Sequence, residues 1–253
     1  GGWNRPNNLL SGKNHPNGVI INYYIKNLQR DDYLRIDIED KDGSIIRSFT
    51  NNQDKYSQVE NNDKSIMVGN PVLSNPNDID NSLSSDNLES LSPKNGGNRL
   101  IWDMRYPGFK SFEGMVLYSS PNVGPKVIPG KYNIKMTYND LTLREEFEIV
   151  KDPRVKISQA DYQDQLEFLI DVRDEVSRAN QQIIDIRSIK NNMSFILDKT
   201  KDNFELKEMV NKYLDDISVI ENNIHMTKNQ SRQDPLNFGI RINNRIAFLL
   251  ADS

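Results

Sequence analysis

Apolar and polar residues alternate along much of the N-terminal half of the chain, with the period of two that is typical of half-buried β-strands. Residues 33–39, YLRIDIE, place aliphatic side chains on one face and the charged side chains of Arg35, Asp37 and Glu39 on the other. This alternation predicts a strand with one buried face. Asp42-Gly43 follows and predicts a tight hairpin, because glycine tolerates the positive φ that such a turn requires.

A long polar segment then interrupts the strands. Residues 51–97 lose the alternation and are rich in Asn, Ser and Asp, which predicts a surface insertion. Two further strands, 132–138 and 141–150, are joined by a predicted turn at Asn139-Asp140. The pattern yields about seven short strands, which favour an antiparallel, immunoglobulin-like β-sandwich over residues 1–152.

From Ser158 onward the apolar period changes to 3.6, which indicates amphipathic helices. Ser158 and Asp161 form a signal for the start of a long helix. A second helix is predicted from about Phe204 to Met226, and Asp234-Pro235 is expected to begin a third. Residues 153–253 are therefore expected to form an antiparallel α-helical bundle, and the fold class is α+β.

Each of the first two helices carries an apolar stripe that is predicted to be buried. The first stripe comprises Tyr162, Leu166, Leu169, Val172, Val176, Ala179, Ile183, Ile186, Ile189, Met193 and Ile196. The second comprises Leu206, Val210, Tyr213, Ile217, Ile220 and Ile224.

Composition narrows the classes of function. The chain has 253 residues with a net charge of -4, so it offers no strongly basic field for nucleic acid. It contains no cysteine, which excludes disulfides, a cysteine nucleophile and thiolate zinc sites. No apolar run reaches the roughly 20 residues that cross a bilayer, so no membrane span is expected.

The stretch GGNRLIWDMRYPG, residues 96–108, contains the most chemically varied set of side chains. Its aromatic rings have two interpretations. As a ligand-binding platform, Trp102, Tyr106 and Phe109 would stack on sugar rings. As part of a strand, Trp102 would be a core residue, which we favour because tryptophan is usually buried.

Other groups with catalytic chemistry are few. The two histidines lie outside the spacing of a metal site or of a Ser-His-Asp triad, so we interpret them as surface or helix-cap residues. Several carboxylates are available for a glycosidase pair, but the pattern places them on the outer face of a small sheet, where solvation is the simpler role. These histidines and carboxylates are His15, His225, Asp103, Glu113, Glu145 and Glu146.

The polar insertion contains oxygen ligands at the offsets of a calcium-binding EF-hand loop. Leu83 stands where that loop requires glycine, and no amphipathic helices flank the segment. Calcium is therefore an alternative for this loop, and no other cofactor is expected. The ligand positions are Asp78, Asp80, Ser82, Asp86 and Glu89.

Six segments, in order, resemble the C-terminal region of large exported bacterial proteins with sortilin-like (VPS10) β-propellers of BNR repeats, which are common in Bacteroidota. They are NHPNGVIINYYIK, LRIDIEDKDGSIIRSF, GGNRLIWDMRYPG, GPKVIPGKYNIKM, the long run that begins KDPRVKISQADYQ, and QDPLNFGIRINNRIAFL. Residues 98–103 with 129–132 also resemble the immunoglobulin-like domain of the flagellar hook-assembly scaffold protein.

The resemblance implies a non-catalytic structural and protein-interaction module. Proteins of that family are often labelled glycosyl hydrolases, but the Asp-box repeats of the propeller are missing from this sequence. The implied partner is a protein, either the propellers of the same parent chain or another envelope component. Export to the periplasm, outer membrane or cell surface is expected, as is a longer parent polypeptide. A carbohydrate-binding or glycoside-hydrolase-associated domain is the alternative.

Overall fold

The computed structural model describes residues 16–52, 88–199 and 203–251. The described strands are β1 (Val19–Ile25), β2 (Leu34–Glu39), β3 (Ile45–Thr50), β4 (Leu88–Ser90), β5 (Gly96–Trp102), β6 (Gly130–Tyr138) and β7 (Leu141–Ile149). The described helices are α1 (Gln159–Lys199), α2 (Phe204–Ile224), α3 (Pro235–Phe238) and α4 (Ile242–Ala247), and a 3-10 turn (Phe248–Leu250) follows α4.

The strands form two sheets of unequal width. In the smaller sheet, β1 pairs antiparallel with β5; the larger sheet has the order β4-β3-β2-β6-β7. Its pairs are antiparallel except for β3 and β4, which run parallel, so the larger sheet is mixed rather than purely antiparallel. The chain is thus a mixed α and β structure with two sheets and helices, as the sequence predicts at this coarser level.

One hydrophobic core contains residues from both sheets. Ile21 and Ile25 of β1 and Trp102 of β5 belong to the same buried cluster as Ile36 and Phe49 of the larger sheet. Burial of this cluster supplies the main driving force for packing the β region, because each fully buried large apolar side chain contributes about 1.5 to 3 kcal/mol.

Strand β2 is buried on both faces, which corrects the prediction of a single buried face. It lies in the middle of the five-stranded sheet, between β3 and β6. On its polar face Arg35 Nε donates to Asp37 Oδ1 at 2.7 Å, and Ser48 Oγ donates to the same oxygen at 2.7 Å. The buried charge of Asp37 is therefore paired and hydrogen-bonded, which is the condition under which a carboxylate is tolerated inside a protein.

The two predicted turns are confirmed. Gly43 has φ 86° between β2 and β3, and Asp40 Oδ1 accepts hydrogen bonds from the backbone N–H groups of Asp42 and Ser44. Asn139, with φ 49°, turns β6 into β7. Both positions need a backbone conformation that glycine and asparagine adopt at low cost.

The long helix α1 begins as its sequence signal predicts. Ser158 Oγ accepts from the Asp161 backbone N–H at 3.1 Å, and Asp161 Oδ2 accepts from the Ser158 backbone N–H at 3.1 Å, which forms a reciprocal cap. Helix α2 begins after Asn203, whose side chain accepts from the Leu206 N–H at 3.0 Å. Within the described ranges, no helix is both long enough and apolar enough to cross a membrane.

The third helical segment is broken rather than continuous. Gly239, with φ 77°, ends α3, and the chain starts again as α4 at Ile242, three residues later. A positive φ is incompatible with a right-handed helix, so the glycine divides the segment predicted from Asp234-Pro235 into short pieces.

Candidate functional site

Trp102 lies inside the β core. Its side chain is 1% exposed, and its ring meets Tyr132 and Phe147 edge-on at centroid distances of 6.3 Å each. The indole Nε1 donates to the Arg105 backbone oxygen at 3.1 Å. Stacking of a sugar on Trp102 would therefore require displacement of these neighbours.

Tyr106 and Phe109 follow Trp102 in sequence but belong to different parts of the molecule. Tyr106 is half-buried against the β core, and this burial raises the pKa of its phenol to about 12. Phe109 is 3% exposed and lies in the helical core with Leu169, Val172, Val176, Ala247 and Leu250. The structure does not place the three predicted platform rings in one exposed row.

Residues 103–129, which we call the connector, link β5 to β6 and are bound to the helices by side-chain amides and a hydroxyl. Ser177 Oγ accepts from the Lys110 backbone N–H at 3.0 Å, and Asn180 Nδ2 donates to the Lys110 backbone oxygen at 2.7 Å. Asn244 Oδ1 accepts from the Tyr118 N–H at 2.8 Å, and Asn244 Nδ2 donates to the Tyr118 oxygen at 3.0 Å. These hydrogen bonds satisfy backbone N–H and C=O groups of the connector that are not paired in a β-strand.

A buried hydrogen-bond network extends from Asn180 to the end of α2. Asn243 Nδ2 donates to Asn180 Oδ1 at 3.0 Å and contacts His225 Nδ1 at 3.2 Å. His225 caps the end of α2 and is 2% exposed. The cap interpretation of His225 is thus confirmed, but the surface interpretation is wrong. Its burial lowers the pKa of the imidazole, so the neutral form is favoured.

Beside His225, a charged cluster joins the two long helices. Glu221 accepts from Arg187 Nε at 2.9 Å and from Lys190 Nζ at 2.6 Å. Burial alone would raise the pKa of the Glu221 carboxyl, but the hydrogen bonds and charges of Lys190 and Arg187 outweigh it and lower the pKa. The Arg187 guanidinium also lies 4.7 Å from the centroid of the Phe112 ring, which packs edge-on against His225.

The four carboxylates considered for glycosidase chemistry are divided between two elements, with two in each. Glu145 and Glu146 are neighbours on β7, and Glu146 accepts from Lys131 Nζ at 2.8 Å. Asp103 and Glu113 lie in the connector, where Asp103 Oδ1 accepts from the Arg105 backbone N–H at 3.2 Å. The structure thus assigns Asp103 and Glu146 local structural contacts.

The predicted calcium loop lies almost entirely outside the described residues. Asp78, Asp80, Ser82 and Asp86 are among the residues that are not described, and Glu89 is an exposed residue of β4 that forms an ion pair with Arg47. Among the described residues, no group of three or more acidic, histidine or cysteine side chains is arranged to hold a metal ion.

The apolar stripes of α1 and α2 are only partly buried, which corrects the prediction. On α1 the stripe is buried as far as Ile183, but beyond it Arg187 and Lys190 make the contact with α2. Three residues of the predicted stripes, Ile189, Tyr213 and Ile220, are between 43% and 57% exposed, and so is Met209, which lies next to the second stripe. The distal half of the hairpin therefore uses polar contacts between the helices and leaves part of each apolar stripe in solvent.

These exposed residues share one side of the hairpin. Successive residues of an α-helix lie about 100° apart around its axis. On each helix, the exposed apolar residues therefore form a series that lies roughly a quarter to a third of a turn away from the residues that contact the other helix. Residues 200–203 alone separate α1 from α2, and Arg187 and Lys190 of α1 contact Glu221 near the end of α2, so the two helices form a hairpin and run in opposite directions. In this arrangement both series point to the same side. We call this surface the hairpin face; it consists of Ile189, Met209, Tyr213 and Ile220 with the half-buried Ile186 and Met193.

Sequence reasoning missed the structural roles of the amide side chains. Asn180 falls among apolar residues at the helical spacing of the α1 stripe, and Asn243-Asn244 stand within a short apolar run. Polar residues at positions that the period assigns to the core are the signal that could have revealed them, because buried amides require partners.

Comparisons with known proteins identify no relative. No family model matches the chain, and neither curated proteins nor solved structures give a match.

Proposed function

We propose that the chain is a non-catalytic structural and protein-interaction module, built as an immunoglobulin-like sandwich followed by an α-helical bundle. What supports the structural role is that its buried polar groups serve packing. Asp37, Asn180 and Glu221 each bind neighbouring side chains within the protein. The imidazole of His225 is buried and its pKa is lowered, which suits a helix cap in the core.

The observation that carries the interaction role is the hairpin face. It extends about 10 Å along α1, from Ile186 to Met193, and about 16 Å along α2, from Met209 to Ile220, since each helical residue rises about 1.5 Å. Exposed apolar surfaces that extend over neighbouring elements mark sites where another protein docks. The module would present this face on a projecting helical hairpin, with the sandwich and connector holding the opposite end of α1.

The parent protein and partner follow from the sequence resemblance. Under this proposal the chain is the C-terminal region of an exported, envelope-associated bacterial protein with sortilin-like β-propellers. The hairpin face then docks on those propellers or on another envelope component. The support is the set of motifs from NHPNGVIINYYIK to QDPLNFGIRINNRIAFL, which occur in the order of that region.

Site-specific photo-crosslinking in the full parent polypeptide tests the proposal. A benzophenone side chain at position 213 replaces Tyr213 on the hairpin face, and the matched control replaces the exposed Asp215 on the same helix. We expect position 213 to give one dominant protein adduct whose peptide can be identified by mass spectrometry, and Ile189→Glu to suppress it. Equal labelling from positions 213 and 215 would contradict docking through this face.

A further inference from the structure

The two sheets of the β region differ in width. The larger sheet has five strands and the smaller has two. With about 4.8 Å between neighbouring strands, the larger sheet extends roughly 14 Å beyond the width of the smaller one. Part of its inner face is therefore left without a covering strand.

The uncovered part lies at the β6 and β7 side. Along β7, alternate residues face inward: Phe147 and Ile149 pack against the core cluster, whereas Leu141 and Leu143 are 57% and 56% exposed. Leu141 is opposite Tyr138 and Leu143 is opposite Met136 in the register of β6 and β7. Two leucines on the inner face of a sheet are thus in solvent although their neighbours on the same face are covered.

A groove follows these leucines. One wall is formed by Leu141 and Leu143 together with Met136 and Tyr138, and the other by residues 24–26 at the end of β1. In the part of the chain that the structure describes, β1 pairs with β5 alone, so no described strand pairs with the second edge of β1. An unpaired strand edge beside an apolar wall is the arrangement that accepts an added strand.

One positive and one negative side chain lie at or beside the groove. Lys26 borders it next to Tyr24, and Glu145 follows Leu143 on the inner face of β7 by the alternation of the strand. Neither side chain takes part in an ion pair among the described residues. The groove is therefore mainly apolar, with the positive charge of Lys26 in its lining and the negative charge of Glu145 beside it along β7.

We propose that this groove binds an extended peptide segment of a protein partner, which adds to the free edge of β1 as a third strand of the smaller sheet. The fitting segment carries two apolar residues at alternate positions, which cover Leu141 and Leu143. It has an acidic residue toward Lys26 and a basic residue toward Glu145. Backbone hydrogen bonds to β1 supply affinity, and these four side chains supply register.

The groove is a different surface from the hairpin face, and strand addition there goes beyond the proposed function. Docking through α1 and α2 can fail while the groove still binds a strand, and the reverse also holds. Substitutions on one surface therefore serve as controls for the other.

The probe is the synthetic peptide acetyl-DTVTVTK-amide, whose two valines lie on the same face of an extended chain as its charged ends. The matched control, acetyl-DTTVVTK-amide, has the same composition, but its valines point to opposite faces. We expect saturable binding of the alternating peptide, measured by fluorescence anisotropy with a labelled copy, to be at least about tenfold tighter than that of the control. Equal affinity of the two peptides, or no saturable binding of either, would overturn the proposal.

Two variants locate the site. Leu143→Glu removes one apolar contact and places a charge in the groove, so we expect it to weaken binding of the alternating peptide about tenfold or more. Ile101→Glu alters an exposed residue of β5 and should leave the affinity unchanged. Hydrogen exchange should show added protection of backbone amides in residues 20–26 when the peptide binds. Unchanged exchange in β1, or full affinity of Leu143→Glu, would refute strand addition there.

Discussion

At the scale of single residues, the buried His225 couples protonation to stability. Desolvation lowers the pKa of its imidazole, the nearby positive charge of Arg187 acts in the same direction, and the Asn243 hydrogen bond and the Glu221 charge oppose them. Since the folded-state pKa is lower than the unfolded-state value, the unfolded chain binds the proton more readily. The stabilising effect of a neutral His225 is complete above the unfolded pKa and is lost as pH falls through the folded pKa.

We therefore predict that the free energy of unfolding decreases as the pH is lowered from 7.5 to about 5, a window that begins near the ordinary histidine pKa of about 6.5. His225→Asn keeps an oxygen near Nδ1 that can accept from Asn243 and has no titrating group, so its stability should change less over the same window. Urea unfolding of both proteins at several pH values measures the difference. Parallel pH profiles for the two proteins would show that His225 is not the responsible group.

The Glu221 carboxyl titrates in a separate range. Its pKa is lowered by the hydrogen bonds and charges of Lys190 and Arg187, which outweigh burial, so its contribution to stability is lost only as pH falls below the ordinary glutamate range. Above pH 5, Glu221 thus contributes little to the difference in pH dependence between the parent protein and His225→Asn.

At the scale of the elements, the sequence correctly predicted the helix start and the turns, which depend on interactions between residues close together in the chain. The Ser158 and Asp161 cap, the Asp42-Gly43 hairpin and the Asn139 turn each depend on residues within four positions of one another. The buried polar face of β2 did not follow from its pattern. Asp37 is stabilised there by Ser48 of a neighbouring strand, and a period of two contains no information about that partner.

The sequence also predicted the candidate surfaces only in part. The sequence favoured a buried Trp102, and its 1% exposure agrees with that interpretation. It predicted a buried apolar face on each of the two long helices, although Ile189 and Tyr213 are exposed. Helical periodicity identifies the apolar side of a helix, but the length of the neighbouring element that covers it determines how much of that side is buried. The short helix α4 packs only on the more buried part of α1.

The connector depends on a close approach between backbone segments. A Cβ atom on Gly124 would lie 1.9 Å from the Tyr106 backbone oxygen and 2.4 Å from that of Pro107. We predict that Gly124→Ala lowers the free energy of unfolding by about 1 to 3 kcal/mol, the cost that is typical of an overpacked core. Thermal and urea unfolding measure the loss.

The matched control for that substitution is Gly97→Ala. A Cβ at Gly97 would meet no atom within 4 Å, and its φ is not in the left-handed region, so its stability should change by less than about 1 kcal/mol. Comparable losses in the two variants would contradict the assignment of strain to the contact between Gly124 and Tyr106.

At the scale of the whole molecule, the connector gives side chains to both cores. Met104 and Tyr106 pack against the core of the sheets, whereas Phe109, Met115 and Leu117 pack with the helices. A domain boundary near residue 152, as the sequence predicts, therefore divides the chain between strand and helix but does not divide the packing. The helical core takes part of its apolar surface from residues that precede β6.

Phe109 provides a test of how far the two cores remain independent. Because it is 3% exposed and lies in the helical cluster, Phe109→Ala should destabilise the helical region by about 3 to 5 kcal/mol. Its loss leaves the surroundings of Trp102 intact. In a Trp3→Phe background, urea unfolding followed by far-ultraviolet circular dichroism should shift to lower denaturant than unfolding followed by Trp102 fluorescence. Val123→Ala, at an exposed connector position, should leave the two transitions as they are in the parent background. If Phe109→Ala instead moves both transitions equally, the sheets and helices unfold as one cooperative unit, and the boundary at residue 152 has no energetic meaning.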